Sequence, residues 1–466
     1  MSAGGSAPCT APDDPIRLTD LNRDGGIGAN ALLLEWGNCR LLIDAGIHPK
    51  RLGLEAVPDF RQIADGPLDA IILTHCHLDH LGALPIAAAK FPEAQLLTSR
   101  SNALIAPRML RNSVNVMRRQ REETGNPDLP LYSRSMVDAV ENRMIGLPYN
   151  RPFAVEADGD PVELTFHGAG HVAGAAGLSI QRGHRRALIT GDVLFTEQAT
   201  LPGAALPTHP VDLLVMETTR GGTARKPGRD REAEIERFLT VANDTLTAGG
   251  SVLVPVFALG RMQEMLTILH QASREGRFPD VPFYCSGLGM DLVNYLDAAT
   301  RRHGDVRFSR KVIKGLGVQK PDWNLKPGQR PPTGFYLLSS GMLVENTPSY
   351  RFAAAMIDQP DNALLFVGYC DPDTPGGRLL ANAEADTFLF ETLDQDVPIR
   401  AHIEQFDMSG HADRDELAAF ALSLHPKTIV LTHGDPEARA WFRKEFADTG
   451  HPIQVIDPEP LKAIDL

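Results

Sequence analysis

Short apolar runs, each stopped by a turn or polar residue, recur through the first half of the chain. "RLLIDAG", "LDAIILTH", "AQLLTS", "VELTFHG", "RALITGD" and "DLLVMET" have the length and aliphatic content of buried strands. Between Ser101 and Thr124 the apolar spacing becomes helical, with Ser101 as the expected N-cap and Pro107 early in the element. A second series begins after Glu217. It reads as helix "REAEIERFLTVANDTLTAG", strand "SVLVPVF", helix "GRMQEMLTILHQASREG", strand "VPFYCSG" and helix "GMDLVNYLDAATRRHG", followed by strands "GFYLLSSG" and "NALLFVGY". From about Ile399 the style of the first half returns, with strand "IRAHIEQF", helix "DRDELAAFALSLH", strand "KTIVLTHGD", helix "PEARAWFRKEFADTG" and strand "PIQVID". Alternation of strands and helices in both series predicts α/β units.

A chain of 466 residues with 43% hydrophobic and 23% charged content fits two or three globular domains. Its net charge of −13 argues against coating nucleic acid by bulk charge, though not against a local basic groove. The five cysteines, Cys9, Cys39, Cys76, Cys285 and Cys370, are scattered and form no CxxC pair. They read as reduced thiols, which predicts a cytoplasmic protein. "MSAGGSAPCTAPDD", residues 1–14, lacks a basic start and an apolar stretch, so it reads as a flexible tail and not a signal peptide. No apolar run approaches the roughly 18 residues of a membrane span.

One stretch changes the picture. "IILTHCHLDHLGALP" sets His75, His77, Asp79 and His80 at the end of a strand. If extension continued, His75 and His77 would point to one side, while Asp79 and His80 fall on the turn into a helix expected near Gly82. Two ligand pairs aimed differently can grip two adjacent ions, and zinc accepts both imidazole nitrogen and carboxylate oxygen. The alternative is a polar loop with incidental histidines, which would bury imidazoles without partners. Further candidates stand at other strand ends: Asp44 after "RLLI", His171 in "FHGAGHVAGAAG", Asp192 after "ALITG", Glu217 after "LLVM", His411 in "DMSGHAD" and His433 in "TIVLTHGD". Any one of these alone could be a capping residue. Strand carboxyl ends gather at one edge of an α/β sheet, however, and seven ligands complete a binuclear site.

"LIDAG", "THCHLDH", "GHVAGA", "TGD" and "LTHGD", in that order, resemble the motifs of the metallo-β-lactamase fold. "ETTRGG", "VPVFALGRMQEM", "SSGML", "SGHAD" and the last "THGD" resemble its β-CASP subgroup, which contains RNA-processing ribonucleases. The resemblance implies an αββα sandwich from residues 15–221 and 407–466, with an α/β β-CASP domain, 222–406, inserted between them. It further implies two zinc ions, with manganese as an alternative. His75, His77 and His171 would hold the first ion and Asp79, His80 and His433 the second, with Asp192 bridging. Asp44 would orient ligand histidines. Asp79, Glu217 and His411 would serve the chemistry, with His411 as the acid for the departing oxygen. His433 points to RNA, because DNA-repair members usually carry an apolar residue there. A homodimer is compatible with the resemblance. Two departures stand out. Arg220 occupies the place of the usual Tyr in the first β-CASP motif, and "GGIGANALLLEWGNC" lacks the usual Gly/Ser-Cys opening.

The implied activity is hydrolysis of RNA phosphodiester bonds, endonucleolytic with 5′→3′ exonuclease action as a further mode, leaving a 5′-phosphate and a 3′-hydroxyl. A DNA nuclease, an ester or lactone hydrolase, and a non-catalytic scaffold subunit are the competing readings. Ser339, Ser340 and Gly341 in "LLSSGML", together with Ser409 and Arg220, are candidate phosphate contacts. Residues 301–330 carry nine Lys/Arg against Asp305 and Asp322, a local net of +7 that suits a nucleic-acid backbone or a solvated face. The run Arg108, Arg111, Arg118, Arg119 and Arg121 reads as an ordinary amphipathic helix face. "GRMQE" reads as a helix start with a buried ionic pair that supports the cleft wall.

Overall fold

The computed structural model describes residues 14–63, 66–157, 159, 161–322, 329–450 and 452–466. Residues 1–13 of the expected tail, Cys9 among them, and 323–328 of the basic stretch lie outside the described residues. Asp14 is pinned by an ion pair with Arg182 at 3.0 Å.

Two seven-stranded sheets form the larger unit. The first runs Ala463–Asp465, Ile16–Asp20, Leu32–Trp36, Cys39–Ile43, Ala70–Leu73, Gln95–Ser99, Met144–Leu147. The second runs Gln454–Ile456, Thr428–Thr432, Leu213–Glu217, Arg185–Ile189, Ala176–Arg182, Val162–Gly168, Phe153–Val155. Side chains alternate along a strand, and the cores follow that period. Leu34, Leu41, Ile43, Leu178, Ile180 and Val215 fill the space between the sheets. Leu33, Leu42 and Ile71 face outward against helical residues such as Leu84 and Leu110. Leu214, Met216 and Leu431 face the opposite way, against Leu417, Phe442 and Phe446 of the Arg414–Ser423 and Pro436–Asp448 helices. Two apolar faces per sheet explain why these strands read as continuous apolar runs. The layers are αββα.

Leu213–Glu217 pairs in parallel with Thr428–Thr432, residue for residue, so the chain leaves the sandwich after the first strand and re-enters at the second. Between them lies a third, all-parallel sheet in the order Phe283–Ser286, Phe335–Leu338, Val252–Pro255, Ala363–Val367, His402–Phe406. The pattern along the chain groups "IRAHIEQF" with the series that returns from about Ile399, while the 222–406 bounds include it in the inserted unit; His402–Phe406 pairs with Ala363–Val367 at the edge of the inserted sheet. Its mixed burial is that of an edge strand, and nothing in such a pattern specifies the partner. Core packing continues between the units, because the Arg100–Thr124 helix packs on the Leu288–Arg302 helix. That first helix is capped by Ser99, whose hydroxyl accepts from the Asn102 amide at 3.2 Å, and not by Ser101. Ser101 instead donates to Asp305 of the inserted unit at 2.7–2.8 Å.

Candidate metal centre

The buried Ala70–Leu73 strand delivers His75, and the chain then turns at once into a one-turn helix, Leu78–Leu81, that carries Asp79 and His80. The sequence placed this helix later, near Gly82. Amides of the facing loop hold it: Ala45 N–H donates to His80 O at 2.8 Å and Ile47 N–H to Leu78 O at 2.9 Å. The "LIDAG" glycine is required by this approach, since a Cβ on Gly46 would lie 1.6 Å from the Asp79 carbonyl oxygen.

Seven side chains from four places in the sequence converge on this corner. His75, His77, His171 and Asp192 form one group whose donor atoms all lie within 4.8 Å of one another, and Asp79, His80 and His433 form a second. Asp192 faces both. Its Oδ2 lies 3.6 Å from His75 Nε2 and 3.7 Å from His171 Nε2, while its Oδ1 lies 3.5 Å from His80 Nε2 and 3.2 Å from His433 Nδ1. His171 Nε2 and His77 Nδ1 approach to 3.1 Å, and His433 Nε2 lies 3.2 Å from Asp79 Oδ2. Several of these atoms have no hydrogen-bond partner although they are buried, notably His75 Nε2, His77 Nε2 and Asp192 Oδ1. Orphaned buried donors and acceptors are costly, and aimed at common points they are the signature of cation ligands. Burial lowers the pKa of His75, His77 and His171, which keeps their imidazoles neutral. Burial opposes ionisation of Asp79 and Asp192, but the surrounding histidines overcome it and hold both carboxyls well below the usual range. At His80 burial opposes charge, but Asp192, Asp44 and Asp79 raise the pKa well above the usual value, so a divalent ion, which binds neutral imidazoles and ionised carboxylates, would displace its proton.

The ligand rings are aimed from behind. Asp44 Oδ2 accepts from His80 Nδ1 at 2.7 Å, and both its oxygens also accept from Thr74, from the amide and the hydroxyl, at 2.7 Å. With both oxygens occupied, Asp44 directs His80 Nε2 inward. The Gly410 carbonyl does the same for His171, accepting from Nδ1 at 2.7 Å. Glu217, at the end of its strand, accepts from the Val193 amide and meets His411 Nδ1 at 2.9 Å. His411 Nε2 then lies 4.0 Å from Asp192 Oδ2. Burial works against charge on His411, but Glu217, then Asp192 and Asp79, lift its pKa to about 9.

Comparison with known proteins agrees with this geometry. The family described as "Metallo-beta-lactamase superfamily" matches residues 24–244, "Beta-Casp domain" matches 262–379, and "Zn-dependent metallo-hydrolase RNA specificity domain" matches 396–456. This chain belongs to the β-CASP group of the metallo-β-lactamase superfamily. It is 28% identical to "Cleavage and polyadenylation specificity factor subunit 3" of Dictyostelium discoideum, over 98% of this chain and 58% of that protein. It is 28% identical to "Transcription termination factor FttA" of Pyrococcus abyssi, over 91% of this chain and 67% of that one. It is 27% identical to "Endoribonuclease ysh1" of Schizosaccharomyces pombe, over 94% and 57%. The chain thus spans about three fifths of the first of these relatives. A solved structure, a protein of unknown function from Enterococcus faecalis V583, shares the fold with a TM-score of 0.56 at 14% identity, covering 97% of this chain and all of that one.

Not every residue singled out in this β-CASP chain stands where a phosphate contact would. Arg220 forks onto the part-exposed Asp407 at 2.9 and 2.7 Å, so its guanidinium is held in an ion pair. Ser409 is buried, and its hydroxyl accepts from the His411 amide at 3.1 Å, which shapes the turn that presents the imidazole. Ser340 Oγ accepts from the Val344 amide at 2.9 Å, Ser339 lies against Gly287, and Gly341 backs Phe257, all at the carboxyl edge of the inserted sheet. The basic stretch is partly neutralised, Arg301 by Asp297 at 2.8 Å and Arg307 by Glu197. Arg108 and Arg111 are paired with Asp291, Asp138 and Glu141, as an ordinary helix face would be. "GRMQE" does hold a buried ion pair, Arg261 with Glu264, and Arg231 joins it at 2.5 Å.

Four supporting residues escaped the sequence reading. Asn102 Nδ2 donates to the Thr74 carbonyl at 2.9 Å and its Oδ1 accepts from Cys76. Asn30 Nδ2 lies 3.1 Å from His80 Nε2. Thr219 Oγ1 lies 3.0 Å from His433 Nδ1. Gln198 Nε2 donates to the carbonyls of Gly170 and His171 at 2.6 and 2.8 Å. Asn102 and Gln198 stand outside any motif, and Thr219 in "ETTRGG" and Asn30 in "GGIGANALLLEWGNC" carry no mark of their own, so spatial adjacency identifies all four.

Among the described residues, no helix is long and apolar enough to cross a membrane.

Proposed function

We propose that this protein is a two-metal ribonuclease that hydrolyses RNA phosphodiester bonds. The observation that carries the reading is the caged set of histidines and carboxylates, split by Asp192 into two groups, with the His411–Glu217 pair beside it. The names of the relatives, an endoribonuclease and a cleavage factor among them, support it. In this reading residues 15–221 and 407–466 supply the donors and 222–406 walls the cleft. Zinc suits the mixed imidazole–carboxylate donors, with manganese as the alternative ion. His75, His77 and His171 would hold one ion, Asp79, His80 and His433 the other, and Asp192 would serve both. Two such ions would neutralise the phosphodiester and lower the pKa of the attacking water. His411, kept protonated by Glu217, gives its proton to the 3′ oxygen as the phosphorus–oxygen bond breaks. The products are a 5′-phosphate and a 3′-hydroxyl, from endonucleolytic cuts and from 5′→3′ trimming. The buried reduced thiols Cys39, Cys76 and Cys285 suit a reducing compartment such as the cytoplasm. A homodimer is the assembly we assign, to be checked by light scattering.

The test joins metal analysis to a cleavage assay on 5′-labelled RNA and the matched DNA. About two zinc ions per chain and preference for RNA are expected. His411→Ala should keep both ions and lose about 10²- to 10⁴-fold in rate. A variant that retains both ions and cleaves at the wild-type rate removes His411 from the mechanism.

A further inference from the structure

Seven large apolar side chains are exposed among the described residues, and the two aromatic ones are Phe257, 38% exposed, and Tyr369, 47% exposed. Both leave the inserted sheet at the same edge. Phe257 follows Val252–Pro255, and Tyr369 follows the adjacent parallel strand Ala363–Val367. From that same edge the next strand, His402–Phe406, runs on to Ser409 and His411.

Each ring is tied to a different flank of the metal centre. On the Phe257 side, a Cβ on Gly260 would lie 2.9 Å from Val172 Cγ1, so this loop rests on the neighbour of His171. Gly341 backs the ring, for a Cβ there would come within 2.9 Å of Phe257 N and 3.0 Å of ring Cδ2. On the other side, partial burial raises the Tyr369 hydroxyl pKa to about 12, and the nearby carboxylates of Asp371 and Asp435 push the same way. Asp435 stands two residues beyond His433. Lys50, in the loop after "LIDAG", reaches Asp371 and Asp373 at 2.9 and 2.7 Å and so ties the Tyr369 loop across the cleft. The loop that follows Phe257 therefore touches the neighbour of His171, and Tyr369 lies within electrostatic reach of Asp435, two residues from His433.

We propose that Phe257 and Tyr369 are stacking platforms for unpaired nucleobases of the RNA strand on the two sides of the cleaved linkage. The inference rests on the ribonuclease reading above. Backbone charge contacts bind paired and unpaired strands alike, whereas a base reaches an aromatic face only when it is free of its partner. Every base has a π face, so the platforms favour single-stranded substrate without choosing a sequence.

Phe257→Leu and Tyr369→Leu keep apolar bulk and remove the ring. The substrates are an unstructured RNA with a mapped cleavage point and the same RNA with one abasic ribose 5′ or 3′ of that point. Hydrolysis of bis(4-nitrophenyl) phosphate by the zinc-loaded wild type checks the metal centre separately. Each variant is expected to lose about 10- to 100-fold in kcat/KM on intact RNA, mainly through KM. On RNA abasic at the position its ring serves, the loss should shrink to within about twofold, because the stacking partner is already gone. Equal losses on intact and abasic RNA, or no loss on intact RNA, would overturn the proposal and leave the ribonuclease reading standing. A wild type that turns over neither RNA nor the phosphate diester overturns both.

Discussion

Glu264 offers the sharpest energetic test of the charges buried within the inserted unit. It is fully buried, 0% exposed, and it is shared by Arg231 and Arg261, which are only 5% and 9% exposed. Glu264→Gln preserves shape and one acceptor while removing the charge. Opposite charges about 3 Å apart at an effective dielectric near 20 attract by about 5 kcal/mol per pair. Desolvation already paid by the two guanidinium groups is not refunded, so the loss follows the measured range for orphaning a buried charge, about 3–5 kcal/mol. Urea unfolding monitored by circular dichroism would read it as a lowered free energy of the transition. An exposed pair such as Arg17–Asp465, at 3.0 Å but 54% and 61% open to solvent, should cost under about 1 kcal/mol when its acid is neutralised. The effect should also reach the metal. Arg231 donates to the Ser409 carbonyl at 2.9 Å and to Gln198 Oε1 at 3.4 Å, and Gln198 holds the His171 carbonyl. Glu264→Gln is therefore expected to weaken zinc binding as well as folding. Adding Arg261→Met, which removes one orphaned cation, should restore part of the stability. If Glu264→Gln costs no more than the exposed pair, the charge argument fails.

Three further outcomes follow from the same physics. Asp44→Ala frees the His80 ring and should weaken metal binding about 10- to 100-fold by competition titration, with the fold intact; full affinity would show that His80 orients itself. Burial lifts the Asp20 carboxyl from 3.8 to about 6, so the folded state binds that proton more tightly than the unfolded chain does. Stability from this group is present in full below pH 3.8 and lost as pH rises through about 6, a loss of about 3 kcal/mol by pH 7.5. Asp20→Asn keeps an acceptor for the Asn22 amide and should gain up to about that amount at pH 7.5 and nothing near pH 4, in paired denaturation curves; a gain equal at both pH values would contradict the burial argument. Chelation should lower the melting temperature reversibly, because it leaves Asp79 and Asp192 among buried imidazoles with no cation; an unchanged midpoint would mean the cage does not depend on metal.

The helices and buried strands were legible because burial on one or both faces imposes a period on each segment, whatever the rest of the chain does. The donor set was legible for a similar local reason: "THCHLDH" concentrates four groups that are expensive to bury without a cation, and the other donors follow strands that run in one direction through a mixed sheet, so their carboxyl ends share an edge. Partnership was not legible. The burial pattern of His402–Phe406 does not say that its neighbour is Ala363–Val367, and Arg220 and Ser409 carry no mark that they meet Asp407 and the His411 amide. Asn102 and Thr219 likewise act through residues remote in sequence from them. Composition and period follow from each residue's own transfer between water and core, so the sequence by itself determined them. Pairing, orientation and the two exposed rings at one edge of the inserted sheet depend on which distant segments meet, and only the folded chain decides that.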